Sequence, residues 1–316
     1  MLHAETENLV ELARGRPGPK LREREIGEAR QVVRDSFAAL DQDRESVAGV
    51  RDLIIAGSGG GQLGLRAYWP SSRTTDDVLL FFHGGGWTFG DLESHDGFCR
   101  TLTNKLGLRV VSVDYRLAPE HVFPAAHLDG AAALDWLQGS PGELGEAVSG
   151  IVLAGDSAGG NIAAGLAAAC QPNDLLRAQL LFYPVLDVAQ QSASYREFGE
   201  GYLLEANDMA WFIDAYIPDI GAREDPCVSP LRAAFEALPP TIIVTAGCDV
   251  LRDEGRAYAA RLARLGVDCH FIEARGFTHN WATSRRVLPS AVPFLTRAID
   301  CLRLFLSPPL RQTRSA

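Results

Sequence analysis

Five short apolar runs, DVLLFFHGGG, LRVVSVDY, GIVLAGDS, AQLLFYPVLD and PTIIVTAGCD, lie between residues 77 and 249 and constrain the fold more than any other feature. Each is dense in Val, Ile, Leu or Phe, the pattern of a strand buried on both faces of a parallel sheet. Helical stretches separate them at about 95–107, 124–138, 158–170 and 253–265. DCHFIEARG supplies a last strand, followed by a C-terminal helix over about 290–306. Strand–helix alternation of this kind predicts an α/β fold with a mostly parallel sheet.

The flanks differ. REIGEARQVVRDSFAALDQ spaces Ile26, Ala29, Val32, Val33, Phe37 and Leu40 three or four apart, an amphipathic helix, and Pro17 and Pro19 set it apart from an earlier short one. VRDLIIAG and LGLRAYWP flank GSGGG at 57–61 and predict a hairpin. About fifty residues separate YPVLD from PTIIVTAG and include the helical EANDMAWFIDAYI, too much chain for a simple crossover. The expected division is therefore 1–45, N-terminal helices contributing to a cap; 46–187, the α/β core; 188–225, cap insertion; 226–306, C-terminal part of the core; and 307–316, a loose tail.

Composition narrows the function classes. With 316 residues, 47% of them hydrophobic, the chain can bury one large core. Thirty Lys and Arg against forty Asp and Glu give a net charge of −10, which argues against nucleic acid or an anionic membrane as partner. No apolar run is long enough for a membrane span, so no membrane insertion is expected, and no secretory signal is visible; a cytoplasmic location is expected. Six scattered cysteines form no C-x-x-C pair and read as free thiols, with no metal site or disulfide framework.

The chemistry concentrates in two loops. AGDSAGG at 154–160 contains G-x-S-x-G, follows the apolar GIVL and opens a helical stretch. A sharp strand-to-helix turn of small residues would hold Ser157 strained, with its Oγ projecting above the sheet. FFHGGGW at 81–87 places three glycines just beyond a strand, where they pack nothing. They make sense if backbone N–H groups must approach a ligand. Donors from Gly84, Gly85 and Gly86, Gly85 first among them, with that of Ala158, would form an oxyanion hole.

Serine needs a base oriented by an acid, and on this arrangement the acid and then the histidine follow it in the chain. His3, His83, His95, His121 and His127 precede Ser157, and His270 falls within the last strand. His279, in GFTHNW, is left as the base. Asp249, at the end of TIIVTAGCD, is the expected acid; Asp253 and Glu254 are the alternatives, read as ordinary first-turn helix residues. Asp114, Arg116 and Glu120 are expected to form a polar network supporting the glycine loop, and Asp156 to bond local backbone. The aromatics Trp211, Phe212 and Tyr216 lie at helical spacing; core packing is the first reading, with one or two of them also lining an acyl pocket.

HGGGW, DYRLAPEHVFPAA, AGDSAGGNIAA, YPVLD, DPCVSPL and GCDVLRDEG, in that order, resemble the bacterial hormone-sensitive lipase family of carboxylesterases over roughly residues 45–300. The resemblance implies an α/β-hydrolase fold with an eight-stranded sheet flanked by helices, a helical cap, no metal or organic cofactor, and the triad Ser157, Asp249 and His279. It implies hydrolysis of small-molecule esters of short to medium acyl chain. Trp87, Trp211, Phe212 and Trp281 are the expected substrate-binding side chains. Two departures stand out: Val250 where the family commonly has Pro, and His279-Asn280-Trp281 where it commonly reads His-Gly-Phe. Trp281 is expected to narrow the alcohol side of the pocket. An amidase of the same layout, arylformamidase-like, and a non-catalytic small-molecule receptor are the rival functions. An interaction protein using the cap surface is a third, without a positive feature. The oligomeric state is open, a homodimer being one option.

Overall fold

The computed structural model describes residues 1–307 except 16–17, 42–43, 172 and 235–237; Pro17 and the expected tail beyond Ser307 lie outside the described residues. Two helices come first, α1 (Ala4–Arg14) and α2 (Ile26–Leu40), then the hairpin β1 (Gly49–Ala56) and β2 (Gln62–Trp69). The alternating part follows: β3 (Val78–Phe82), α3 (Asp96–Leu106), β4 (Arg109–Asp114), α4 (Ala125–Gln138), β5 (Ile151–Asp156), α5 (Ala158–Ala169) and β6 (Leu176–Phe182). Two helices interrupt it, α6 (Ala193–Phe198) and α7 (Ala206–Tyr216). The chain then closes with β7 (Thr241–Cys248), α8 (Arg252–Arg264), β8 (Cys269–Thr278) and α9 (Val292–Leu306).

The eight strands form one sheet in the order β1-β2-β4-β3-β5-β6-β7-β8. β2 runs antiparallel to both neighbours, and from β4 to β8 all pairs are parallel. This is an α/β-hydrolase fold, as expected. Every residue of β3 and β5 is buried, which explains their unbroken apolar runs: helices cover both faces. Leu80, Phe82, Leu153 and Leu181 pack with α4, α5 and α8 on one face; Leu79, Phe81, Val152 and Phe182 pack with α3 and α9 on the other. Among the described residues no helix is long and apolar enough to cross a membrane. All six cysteines are free, Cys99 and Cys248 being buried.

The parallel arrangement brings the carboxyl ends of β3, β5, β6, β7 and β8 to one edge, where ligands bind in open α/β sheets. α1 is tied there through the His3 N–H, which donates to Gly276 O at 2.9 Å, and through the His3 ring stacked on Phe277. α2 is tied by Arg30, which pairs with Glu120 and donates to the carbonyls of Thr88 and Ala118 at 3.0 and 2.9 Å.

Candidate active site

Ser157 lies between β5 and α5 with φ 54° and ψ −119°, a strained conformation for a non-glycine residue. The turn is held from both sides: Ser157 N–H donates to the carbonyl of Phe182, at the end of the adjacent strand β6, at 2.9 Å, and Ser157 O accepts from Val185 N–H at 3.2 Å. Close packing needs glycine here, since a Cβ on Gly159 would sit 2.0 Å from Phe82 O. Asn161 on the first turn of α5 donates to Val185 O and Val228 O, pinning the loop after β6 against the serine helix.

Ser157 Oγ lies 2.8 Å from His279 Nε2, and His279 Nδ1 lies 2.7 Å from Asp249 Oδ2. The carboxylate acceptor assigns the proton to Nδ1 and leaves Nε2 free to accept from the serine hydroxyl. All three side chains are buried. Asp249 is the first residue beyond β7, and its Oδ1 accepts from Leu251 N–H at 3.1 Å. β8 runs two residues further than the sequence suggests, to Thr278, so His279 follows the strand directly and is steered by it. Asn280 then adopts φ 64°, a left-handed conformation that Gly takes freely and Asn tolerates better than most residues. The departure from Gly at that position therefore keeps the turn.

In the glycine loop the N–H of Gly84 is already committed: it donates to Asp156 Oδ1 at 2.8 Å. Asp156 thus bonds backbone as expected, and Gly84 drops out as a free donor. Gly85 (φ 115°) and Gly86 (φ 60°) face the serine, and among the described residues neither N–H, nor that of Ala158, has an internal acceptor. Behind the loop His95 Nε2 lies 3.2 Å from the same Asp156 oxygen, while burial pushes His83 down to about 4 and keeps it neutral. The expected Asp114–Arg116–Glu120 network is only partly formed. Arg116 pairs with Asp129, and among the described residues Asp114 shows no hydrogen bond to the loop. Loop support comes from Tyr115 Oη–H, which donates to His83 O at 2.6 Å, and from Arg30 bridging Glu120 to Thr88 O.

Above Ser157 and His279 a cavity of about 170 Å³ is lined by apolar side chains from α2, the glycine loop and α7, among them Phe37, Phe89, Met209, Trp211 and Phe212. Of the four aromatics expected to bind substrate, Trp211 and Phe212 line this cavity. Trp87 and Trp281 do not line this cavity. Trp87 is fully buried, with φ 56° turning its ring onto Tyr216 (centroids 5.0 Å apart). Trp281 is fully buried in the core on the α9 side, against Phe182, Tyr183 and Phe294, so it cannot narrow the alcohol side by contact. A larger cleft of about 520 Å³ lies outside, against Arg34, Asp91, Asp114 and Arg116. Among the described residues no group of three or more His, Cys, Asp and Glu could hold a metal ion.

Glu254 is not an ordinary first-turn residue. It is buried, and its Oε2 accepts from the N–H groups of Leu186 (2.7 Å) and Asp187 (3.1 Å), fastening the loop after β6 to α8. Burial pushes this carboxyl up to about 8 against the pull of those two donors. Below that pH the folded chain holds a proton that an unfolded Glu gives up near its ordinary value of 4.5. Stability is therefore expected to fall as pH climbs from about 4.5 to about 8, on the order of a few kcal/mol from this group alone. Glu254→Gln keeps both acceptor contacts and cannot ionise. Denaturant unfolding at pH 5 and pH 9 should show the variant gaining on wild type at the higher pH; a constant difference would contradict the assignment.

A family model described as an α/β-hydrolase fold matches residues 79–283. The chain is 37% identical to the carboxylic ester hydrolase LipN of Mycobacterium tuberculosis over 272 residues, covering 82% of this chain and 71% of that one. It is 34% identical to an ethyl acetate hydrolase of Pseudomonas putida, covering 89% and 91%. Among solved structures, an α/β-hydrolase enzyme from the metagenome of Lake Arreo, Spain, superposes with a TM-score of 0.91 at 35% identity, covering 97% of this chain and 99% of that one.

Proposed function

The chain belongs to the α/β-hydrolase family and is a carboxylic ester hydrolase, and from that premise we propose that Ser157, His279 and Asp249 are its catalytic triad, acting on esters of short- to medium-chain acids. The observation that carries this is the pair of contacts at 2.8 and 2.7 Å linking serine, imidazole and carboxylate at the floor of a largely apolar cavity.

His279 Nε2 takes the proton from Ser157 Oγ as the oxygen attacks the ester carbonyl. The negative charge that forms on the carbonyl oxygen is met by the N–H groups of Gly85, Gly86 and Ala158, each such donor being worth roughly 10²–10³ in turnover. The imidazolium, held by Asp249, then protonates the leaving alcohol, and the acyl-enzyme remains. Water, deprotonated by the same imidazole, releases the acid. α1, α2 and the 188–225 segment act as the cap that excludes bulk water. A cavity of about 170 Å³ lies well below the roughly 300–1,000 Å³ of drug-sized sites, which favours short acyl groups.

The test is a p-nitrophenyl ester series from acetate to palmitate, with p-nitroacetanilide as the amide arm. The expected optimum in kcat/KM lies between butyrate and octanoate, with the anilide slower by at least about 10², the size of a single catalytic contact. An optimum at palmitate, or faster turnover of the anilide, would contradict the assignment.

A further inference from the structure

The wall of the apolar cavity carries Arg22 and Asp208, and they face each other as an ion pair. They come from distant parts of the chain. Arg22 belongs to a short turn, Leu21–Glu23, ahead of α2; Asp208 is in the first turn of α7. Lys20 pairs with Glu205 beside them, and Arg22 also lies 3.8 Å from Glu205. Leu21 and, just before α7, Leu203 and Leu204 line the same cavity. The two segments thus meet across the cavity through ionic contacts, while the wall they complete is hydrocarbon.

An ion pair is an unusual choice for such a wall. Apolar side chains would close it with less desolvation cost. Arg22 and Asp208 are each about one-fifth exposed, 19% and 22%, which leaves water free to compete for both charges. A contact of that kind is weak enough to open and close, and weaker as salt screens it. Parting it would separate the turn from α7 and lengthen the cavity, with no change at Ser157.

We propose that the Arg22–Asp208 pair, backed by Lys20–Glu205, is a specificity-determining latch that sets the longest acyl chain the enzyme accepts. With the latch closed, Leu21, Leu203 and Leu204 wall the cavity beside the pair. With it open, a longer chain passes between the two segments. The proposal rests on the assignment of this cavity to the acyl group.

The test compares wild type with Arg22→Met and Asp208→Asn, using p-nitrophenyl decanoate and butyrate. Asp208→Asn retains an oxygen to accept from Glu205 N–H, the contact at 3.2 Å that caps α7, so it removes charge without removing the cap. Both variants are expected to raise the decanoate-to-butyrate ratio of kcat/KM about fivefold, the scale of one partly exposed ion pair. In wild type, raising NaCl to about 1 M, where screening is nearly complete, should raise the same ratio; in the variants that salt response should be largely lost. A ratio that stays at the wild-type value in both variants, or an undiminished salt response, would overturn the latch while leaving the esterase assignment intact. Absence of butyrate hydrolysis in wild type would overturn both.

Discussion

Ser157→Ala is expected to lower kcat for p-nitrophenyl butyrate by roughly 10⁶, the scale of nucleophile removal in serine hydrolases, with little change in thermal stability. That loss corresponds to about 8 kcal/mol of transition-state stabilisation. The expectation follows from geometry. Ser157 is the hydroxyl held at 2.8 Å from His279 Nε2, and the strain of its backbone, φ 54°, points Oγ into the cavity and away from the sheet. Alanine removes the oxygen and leaves Gly85, Gly86, Ala158 and the apolar walls in place. The residual rate should come from those groups alone, roughly 10³-fold over water. Relief of backbone strain would not follow, because Ala has the same Cβ as Ser and the turn is imposed by its neighbours. Thermal melts of the two proteins beside their rates check both halves of the expectation.

Asp249→Asn should cost roughly 10⁴ in kcat. Asp249 is buried and makes two bonds in the site: Oδ2 accepts from His279 Nδ1–H at 2.7 Å, and Oδ1 accepts from Leu251 N–H at 3.1 Å. The Leu251 contact needs an oxygen, so an asparagine places its carbonyl there and turns its amide towards His279. That amide donates, which moves the imidazole proton to Nε2 and deprives Ser157 of its acceptor. The substitution is almost isosteric, so the fold should persist while the proton relay is lost. A pH–rate profile of the variant is the check: partial recovery is expected at high pH, and a wild-type profile would contradict the role of Asp249.

The three side chains proposed as the triad were picked out in the sequence because each sits at the end of a strand-like run. Ser157 follows β5, Asp249 follows β7 and His279 follows β8, so finding the strands and applying chain order led to three residues that lie in hydrogen-bond contact. Direction was much harder to read. Trp87 beside the glycine loop and Trp281 beside His279 look like pocket residues by position, yet both rings turn into the core. At Trp87 the deciding quantity is a backbone angle, φ 56°, which the residue type gives no hint of. Gly84 stood among the donor candidates behind Gly85, and nothing in the sequence showed that Asp156 would claim its N–H. Glu254 looks like any acidic residue in a first helical turn; only tertiary packing buries it beneath Leu186 and Asp187. The cavity wall was the least legible part, since Phe37, Phe89, Met209 and the Arg22–Asp208 pair converge from segments far apart in the chain.

The central claim is that Ser157 carries the acyl group, and labelling tests it most directly. The full-length protein would be treated with a p-nitrophenyl alkylphosphonate, which phosphonylates an activated serine and releases p-nitrophenol, then digested and sequenced by mass spectrometry. A single adduct on the peptide holding Ser157, formed in step with loss of esterase activity and absent from Ser157→Ala, is the predicted result. Inactivation with the adduct on any other residue, or full labelling of Ser157→Ala, would contradict the account.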